Sequence, residues 1–178
     1  PFIGGLLADR YFGYRKSIIA GGIMMGIGYC MMAIHSLPML YLSMFLVILG
    51  NGFFKPNIST LLGNLYSTNE YRDRKDEGYN IFYMGINTGA MLGMLICPWL
   101  GDVKVDGVRV IEAFKWGFLA ACIGMLLGLV TFIALQKKYL ISEEGQEIGK
   151  SVKPLDLKSI LMIVGSIGII FFMLNFKQ

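Results

Sequence analysis

Long apolar blocks alternate with short charged ones along this chain. Residues 17–36, 39–65, 79–100, 114–135 and 159–176 are dominated by Ile, Leu, Met, Phe, Val, Ala and Gly, and residues 1–8 read as the tail of another such block. About 20 apolar residues in a helix cross a hydrocarbon core of about 30 Å. Each complete block therefore predicts one membrane span, with 159–176 at the lower limit of length. Pro38 belongs near the first position of its helix. The turn before it is short, so residues 17–36 and 39–65 form an antiparallel hairpin. Residues 9–16, 66–78 and 136–158 are polar, and 66–78 carries charges of alternating sign, expected in a solvated loop or short surface helix with weak local salt bridges. Between residues 102 and 110, Val103, Val105, Val108 and Val110 alternate around Asp106-Gly107, a pattern that predicts a small β-hairpin outside the membrane.

Two blocks contain polar residues that an ordinary span does not. In Met39–Leu65 an apolar start gives way to Asn51, Lys55, Asn57, Ser59 and Thr60. Lys55 lies well inside the segment, where a lysine costs about 2.5–3.5 kcal/mol on insertion scales. It should therefore face a cavity or a counter-charge, not snorkel to an interface. Asn51, Lys55, Ser59 and Gly63 recur at i+4 and share one face. Pro56 has no N–H, which frees the carbonyl of Gly52, and with Gly50 and Gly52 nearby it marks a place for a kink.

In Tyr79–Leu100, Asn80, Tyr83 and Asn87 fall on one face, at i, i+3 and i+7. Gly85, Gly89 and Gly93 lie about 160° from Tyr83 and Asn87 at roughly 100° per residue. One face could line a cavity while the other packs on a neighbouring helix, although Asn87 alone also suits an interhelical hydrogen bond. Gly22 and Gly26, with Gly28 beside them, and Gly124 with Gly128 are further pairs expected at close helix contacts. Trp116 is placed for a membrane interface.

Composition agrees with this pattern. The 178 residues are 55% hydrophobic and 16% charged, with mean hydropathy +0.60, against about 45–50% and 25% in soluble domains. This is an all-α integral membrane protein. Its net charge of +4 is topological, not a footprint for nucleic acid. Arg10, Arg15, Lys16, Arg72, Arg74, Lys75, Lys137, Lys138, Lys150, Lys153 and Lys158 all fall in three loops on one side, eleven of the sixteen cations. The other side has Lys104, Arg109 and Lys115, so positive-inside puts the three loops in the cytoplasm. Cys30, Cys97 and Cys122 stand singly in apolar blocks and read as small core residues, with no disulfide framework or zinc spacing. His35 stands alone without a ligand pattern. No nucleophile–base pair or metal cluster suggests an enzyme.

The quoted residues resemble one family. Gly50-Asn51-Gly52-Phe53-Phe54-Lys55-Pro56-Asn57-Ile58-Ser59 is similar to the fourth-helix motif of the proton-dependent oligopeptide transporters, and Phe82-Tyr83-Met84-Gly85-Ile86-Asn87-Thr88-Gly89-Ala90 to their fifth-helix signature, with Ala90 in place of the usual Ser. Gly4-Gly5-Leu6-Leu7-Ala8-Asp9-Arg10, continuing to Gly13, Arg15 and Lys16, resembles the major facilitator superfamily loop between helices 2 and 3. The resemblance implies the major facilitator fold, with residues 1–136 running from the end of helix 2 to helix 6 in the N-terminal bundle. Residues 137–158 would be a cytoplasmic linker and 159–178 a further transmembrane helix, either one of two inserted helices or helix 7. The family's first-helix Glu-x-x-Glu-Arg motif is absent, as is its C-terminal half. Together with the lack of an initiating methionine, this predicts a piece of a larger chain.

By the same resemblance the function is proton-coupled symport of di- and tripeptides by alternating access in the bacterial inner membrane. A proton gradient drives it without a cofactor, and the complete protein is a monomer. Lys55 would bind the peptide carboxylate and pair with a first-helix glutamate, coupling protons to substrate. Asn87 and Tyr83 would contact the peptide, and Gly50, Gly52 and Pro56 would form a gate hinge. The alternatives are the same fold moving another small anion, such as nitrate or a peptide-like compound, or a non-transporting truncated membrane fragment. The topology is directly testable: single cysteines replacing Lys75 and Asp106 are expected to label from opposite sides of the membrane. Labelling of both from one side would remove Tyr79–Leu100 as a span.

Overall fold

A computed structural model describes residues 2–34, 36–67, 71–140 and 148–149. The last apolar run, His35 and most of the 137–158 linker lie outside the described residues. The described chain is almost entirely helical: α1 (Phe2–Leu7), a π-helical segment (Ala8–Phe12), α2 (Tyr14–Met32), α3 (Leu37–Leu65), α4 (Lys75–Gly101) and α5 (Phe114–Tyr139). Of these, α3, α5 and the Arg72–Gly101 stretch containing α4 are each long and apolar enough to cross a membrane. In α2, Arg15 and Lys16 sit inside the first turn and dilute an otherwise apolar helix.

Where sequence and structure differ, the reason lies at the helix ends. Residues 9–16 form no open loop. The chain stays helical to Phe12, reverses at Gly13 (φ 74°), and starts α2 at Tyr14. Gly13 is needed for that positive φ. At the next junction a 3-10 turn (Arg72–Arg74) leads into α4 at Lys75, so about half of the charged 66–78 stretch is helical. Its charged side chains are exposed, and no salt bridge joins them among the described residues. The hairpin forms as expected. Lys104 pairs with Arg109 and Val105 with Val108, and Asp106 (φ 52°) with Gly107 (φ 79°) supplies the two positive φ values of a type I′ turn.

Glycine contacts hold the helices together. Lipid tails are as apolar as leucine, so association relies on close packing. A Cβ built on Gly50 would lie 2.6 Å from the Gly21 carbonyl oxygen and 2.9 Å from the Met25 nitrogen. A Cβ on Gly28 would lie 3.0 Å from the Ser43 carbonyl oxygen. The α2–α3 hairpin is therefore packed backbone against backbone. On its other side, α2 receives α5, with Leu129 and Met125 covering Gly22 and Leu126 covering Gly26. The carbonyl of Gly52, freed by Pro56, lies directly against Gly4 of α1. Asn57 reinforces that contact: it is buried, and its Nδ2 donates to Gly4 O (3.3 Å) and Phe53 O (2.6 Å).

Three expectations need correction. Cys30 of α2 and Cys122 of α5 are joined as a disulfide, with their Cα atoms 5.8 Å apart. That separation lies within the range for a bridge. They are 92 residues apart in sequence, and only the α2–α5 packing brings them together; Cys97 is free. Among the described residues Gly124 and Gly128 are not a contact pair, since neither has an atom within 4 Å of a built Cβ. Gly117 instead carries the α4–α5 contact, against the Cys97 carbonyl. Gly85, Gly89 and Gly93 likewise meet nothing within 4 Å among the described residues.

These contacts predict opposite outcomes for two similar substitutions. Gly50→Ala forces a methyl into backbone and is expected to destabilise the chain by about 1–3 kcal/mol. Gly89→Ala places its methyl in open space and gains helix propensity, so it should be neutral or stabilising by up to about 1 kcal/mol. Denaturant unfolding of the chain in micelles distinguishes the two. Equal stability of both variants would mean that α2 and α3 are not in backbone contact.

Candidate functional site

Lys55 points away from the packed side of α3. The buried positions Ser43, Gly50, Asn57 and Leu61 mark the face turned to α1 and α2. Lys55 lies about 140–160° from Gly50 and Asn57 at roughly 100° per residue, and it is exposed together with Asn51 and Thr60. Around it the helix satisfies its own polar groups: Ser59 Oγ donates to Lys55 O (3.3 Å) and Thr60 Oγ1 to Pro56 O (3.0 Å). α3 remains one continuous helix through Pro56. Gly50 and Gly52, expected at a hinge with Pro56, are here the contact points to α2 and α1.

The facing wall comes from α4. Tyr83 and Asn87 are exposed, as is Asn80. Tyr79, which sequence reasoning passed over, sets the register between the two helices. Its hydroxyl donates to Ser59 O at 3.1 Å and sits against Gly63. Beneath it, the Tyr66 ring lies on Gly78, where any side chain would collide with it. The helices run antiparallel, and counting turns of about 5.4 Å from the Ser59–Tyr79 contact assigns Lys55 the height of Tyr83 and Asn51 that of Asn87. Tyr83 stacks on Tyr79 with ring centroids 6.3 Å apart, which fixes its place on this wall. The result is an ammonium, a phenol and an amide displayed at neighbouring heights on two exposed helix faces inside the spans. Such a surface suits a ligand with a carboxylate at one end and amide groups behind it.

The facilitator-like loop behaves differently from its sequence reading. Asp9 and Lys16 are exposed. The Tyr14 hydroxyl hydrogen-bonds both Asp9 and Asn64, tying the α1–α2 reversal to the end of α3. Gly5 rests on Pro56, 3.8 Å from its Cβ to a built Cβ. Arg10 lies within the π segment. Arg15, expected as a loop cation that orients the chain in the membrane, is only 6% exposed and donates to the backbone carbonyls of Ile148 and Leu140. Tyr79 and Tyr14 are structural residues that the motif reading missed, and Asn57, which the fourth-helix motif includes, turns out to be a buried packing residue.

Comparison with known proteins decides the family. The model of the POT family matches residues 15–167. The chain belongs to the POT family. It is 37% identical over 145 residues to a di-/tripeptide transporter of Lactobacillus helveticus, covering 79% of this chain and 28% of that protein. It is 42% identical over 139 residues to the uncharacterized transporter YclF of Bacillus subtilis, covering 78% of this chain and 26% of the relative. A crystal structure of a peptide transporter POT superposes with a TM-score of 0.75 at 36% identity, covering 97% of this chain and 34% of that one. The chain thus spans about a third of the length of the relatives it matches, and it has the all-α transmembrane fold of the major facilitator type.

Proposed function

We propose that this chain forms part of a multi-pass, proton-coupled symporter of di- and tripeptides in the bacterial inner membrane. The observation that carries the reading is the exposed Lys55 ammonium, deep in a span and one turn from the Ser59–Tyr79 contact, in a chain whose relatives are named di-/tripeptide transporters. A lysine so placed is costly unless something anionic visits it, and a peptide carboxylate or a protonatable carboxylate elsewhere in the complete protein meets that need. Alternation of Lys55 between those two partners would couple proton to substrate. Asn87 and Tyr83 would then hydrogen-bond the peptide backbone and terminus. Pro56, with Gly50 and Gly52, would allow α3 to bend as the site changes sides. The proton gradient supplies the driving force, with no cofactor and no enzymatic step, and the complete protein works as a monomer.

A second reading, the same fold moving a peptide-like compound, has one specific support. A POT family transporter of similar fold (TM-score 0.73) was crystallised with 5-aminolevulinic acid, which carries an ammonium and a carboxylate but no peptide bond. Competition tests the first reading: excess unlabelled dipeptide should abolish uptake of a labelled dipeptide, while nitrate should not.

Two outcomes are expected in proteoliposomes with an inward proton gradient. In the complete transporter, Lys55→Ala removes one partner of a charge pair, worth about 2–5 kcal/mol, so uptake should fall roughly thirtyfold or more. Lys55→Arg should also be poor, because a planar fork replaces a compact ammonium. Wild-type uptake by Lys55→Ala would reduce the residue to a snorkelling lysine. The 178 residues alone should insert without transporting, since the open α4 face and Lys55 lack their partners. Saturable, gradient-dependent uptake by this segment would overturn that expectation.

A further inference from the structure

α2 opens with two cations, Arg15 and Lys16, at the helix end that favours anions, and Gly13 offers no side-chain cap. Lys16 escapes into solvent, whereas Arg15 is buried. Its guanidinium donates through Nε to Ile148 O at 2.7 Å and through Nη2 to Leu140 O. Its backbone N–H donates to Gly149 O at 3.4 Å. Leu140 is the C-cap of α5, its own N–H bonded to Gln136 O. One side chain therefore bridges the positive start of α2 and the negative end of α5, which offsets the unfavourable placement of its charge.

The returning backbone is fastened in two more ways. Ile148 N–H donates to Leu140 O at 3.1 Å. Gly149 takes φ 85°, and a Cβ built there would lie 2.7 Å from Leu61 Cδ1, 3.5 Å from Arg15 Cγ and 3.5 Å from Tyr14 Cβ. The chain beyond α5 thus lies pressed onto the feet of both α2 and α3.

We propose that Arg15 is a positioning residue that latches the backbone leaving α5 onto the cytoplasmic foot of the bundle. It thereby fixes the point from which the connection to the following part of the chain departs. Arginine suits the task because its planar fork reaches two carbonyls at once, while a lysine is a single point charge. If the transport reading holds, Leu140 and the Ile148–Gly149 backbone move together with the feet of α2 and α3. The latch itself is independent of substrate.

The test uses the complete protein in nanodiscs, with hydrogen–deuterium exchange read at the Ile148 amide. Arg15→Ala is expected to speed that exchange by about tenfold or more, leaving the centres of α3 and α5 unchanged. Arg15→Lys should fall between, and Lys16→Ala should match wild type. Unchanged exchange at Ile148 in Arg15→Ala would overturn the proposal. Should that variant fail to fold, Arg15→Lys carries the same test, since it keeps the charge and loses the fork that reaches two carbonyls; exchange at Ile148 as slow as in wild type would equally overturn the proposal. Failure of peptide uptake would leave this readout untouched, so the latch and the transport reading fall separately.

Discussion

The structure depends on how closely backbone can approach backbone along α3. Gly50 against Gly21, Gly28 against Ser43 and Gly52 against Gly4 bring three helices together without side chains between them. In lipid there is no hydrophobic gain from hiding leucine on leucine, so this intimacy, with its dispersion and Cα–H···O contacts, supplies the association. It also explains the position of Pro56. The carbonyl it deprives of an N–H, Gly52 O, is the one that meets Gly4, and Asn57 one residue later donates across to the same glycine. A defect in the helix ladder is thereby converted into an interhelical contact.

Once α3 is fixed by its glycine face, the orientation of Lys55 follows by helical arithmetic. Ser43, Gly50 and Asn57 recur every seven residues and are buried, so a residue five beyond Gly50 emerges on the far side. The same packing that stabilises the α1–α2–α3 group therefore presents a cation to whatever lies opposite. No separate device is needed to hold Lys55 outward, and a substitution that loosened Gly50 would be expected to disturb the ammonium as well as the fold.

The described helices α2 to α5, their order, the hairpin at Asp106-Gly107 and the packing role of Gly22 and Gly26 were legible from periodicity, because a helix face is written in the residues that form it. What a face touches is not. Gly85, Gly89 and Gly93 have the same spacing as a contact stripe, yet they meet nothing among the described residues. The working contact in that part of the chain, Gly117 against the Cys97 carbonyl, has no spacing to announce it. Cys30 and Cys122 meet only because α5 docks on α2. The burial of Arg15 was not legible for a deeper reason. Its partners include the carbonyls of Leu140 and Ile148, and every residue has a carbonyl, so these contacts leave no trace in sequence.

The candidate site shows the same division. The family-like motifs brought out Lys55, Tyr83 and Asn87, but nothing in them states how the two helices register. That depends on Tyr79, whose hydroxyl takes the one carbonyl, Ser59 O, that puts Lys55 level with Tyr83. Ser59 sits within the turn that follows Pro56, and its own hydroxyl is turned back onto Lys55 O. A bend at Pro56 would therefore shift the Ser59–Tyr79 contact and the height of Lys55 together. The Tyr66 ring on Gly78 and the Tyr79 hydroxyl against Gly63 add to that bond, so α3 and α4 meet at the same end of the described helices where Arg15 ties α2 to Leu140, while the faces carrying Lys55 and Tyr83 stay exposed.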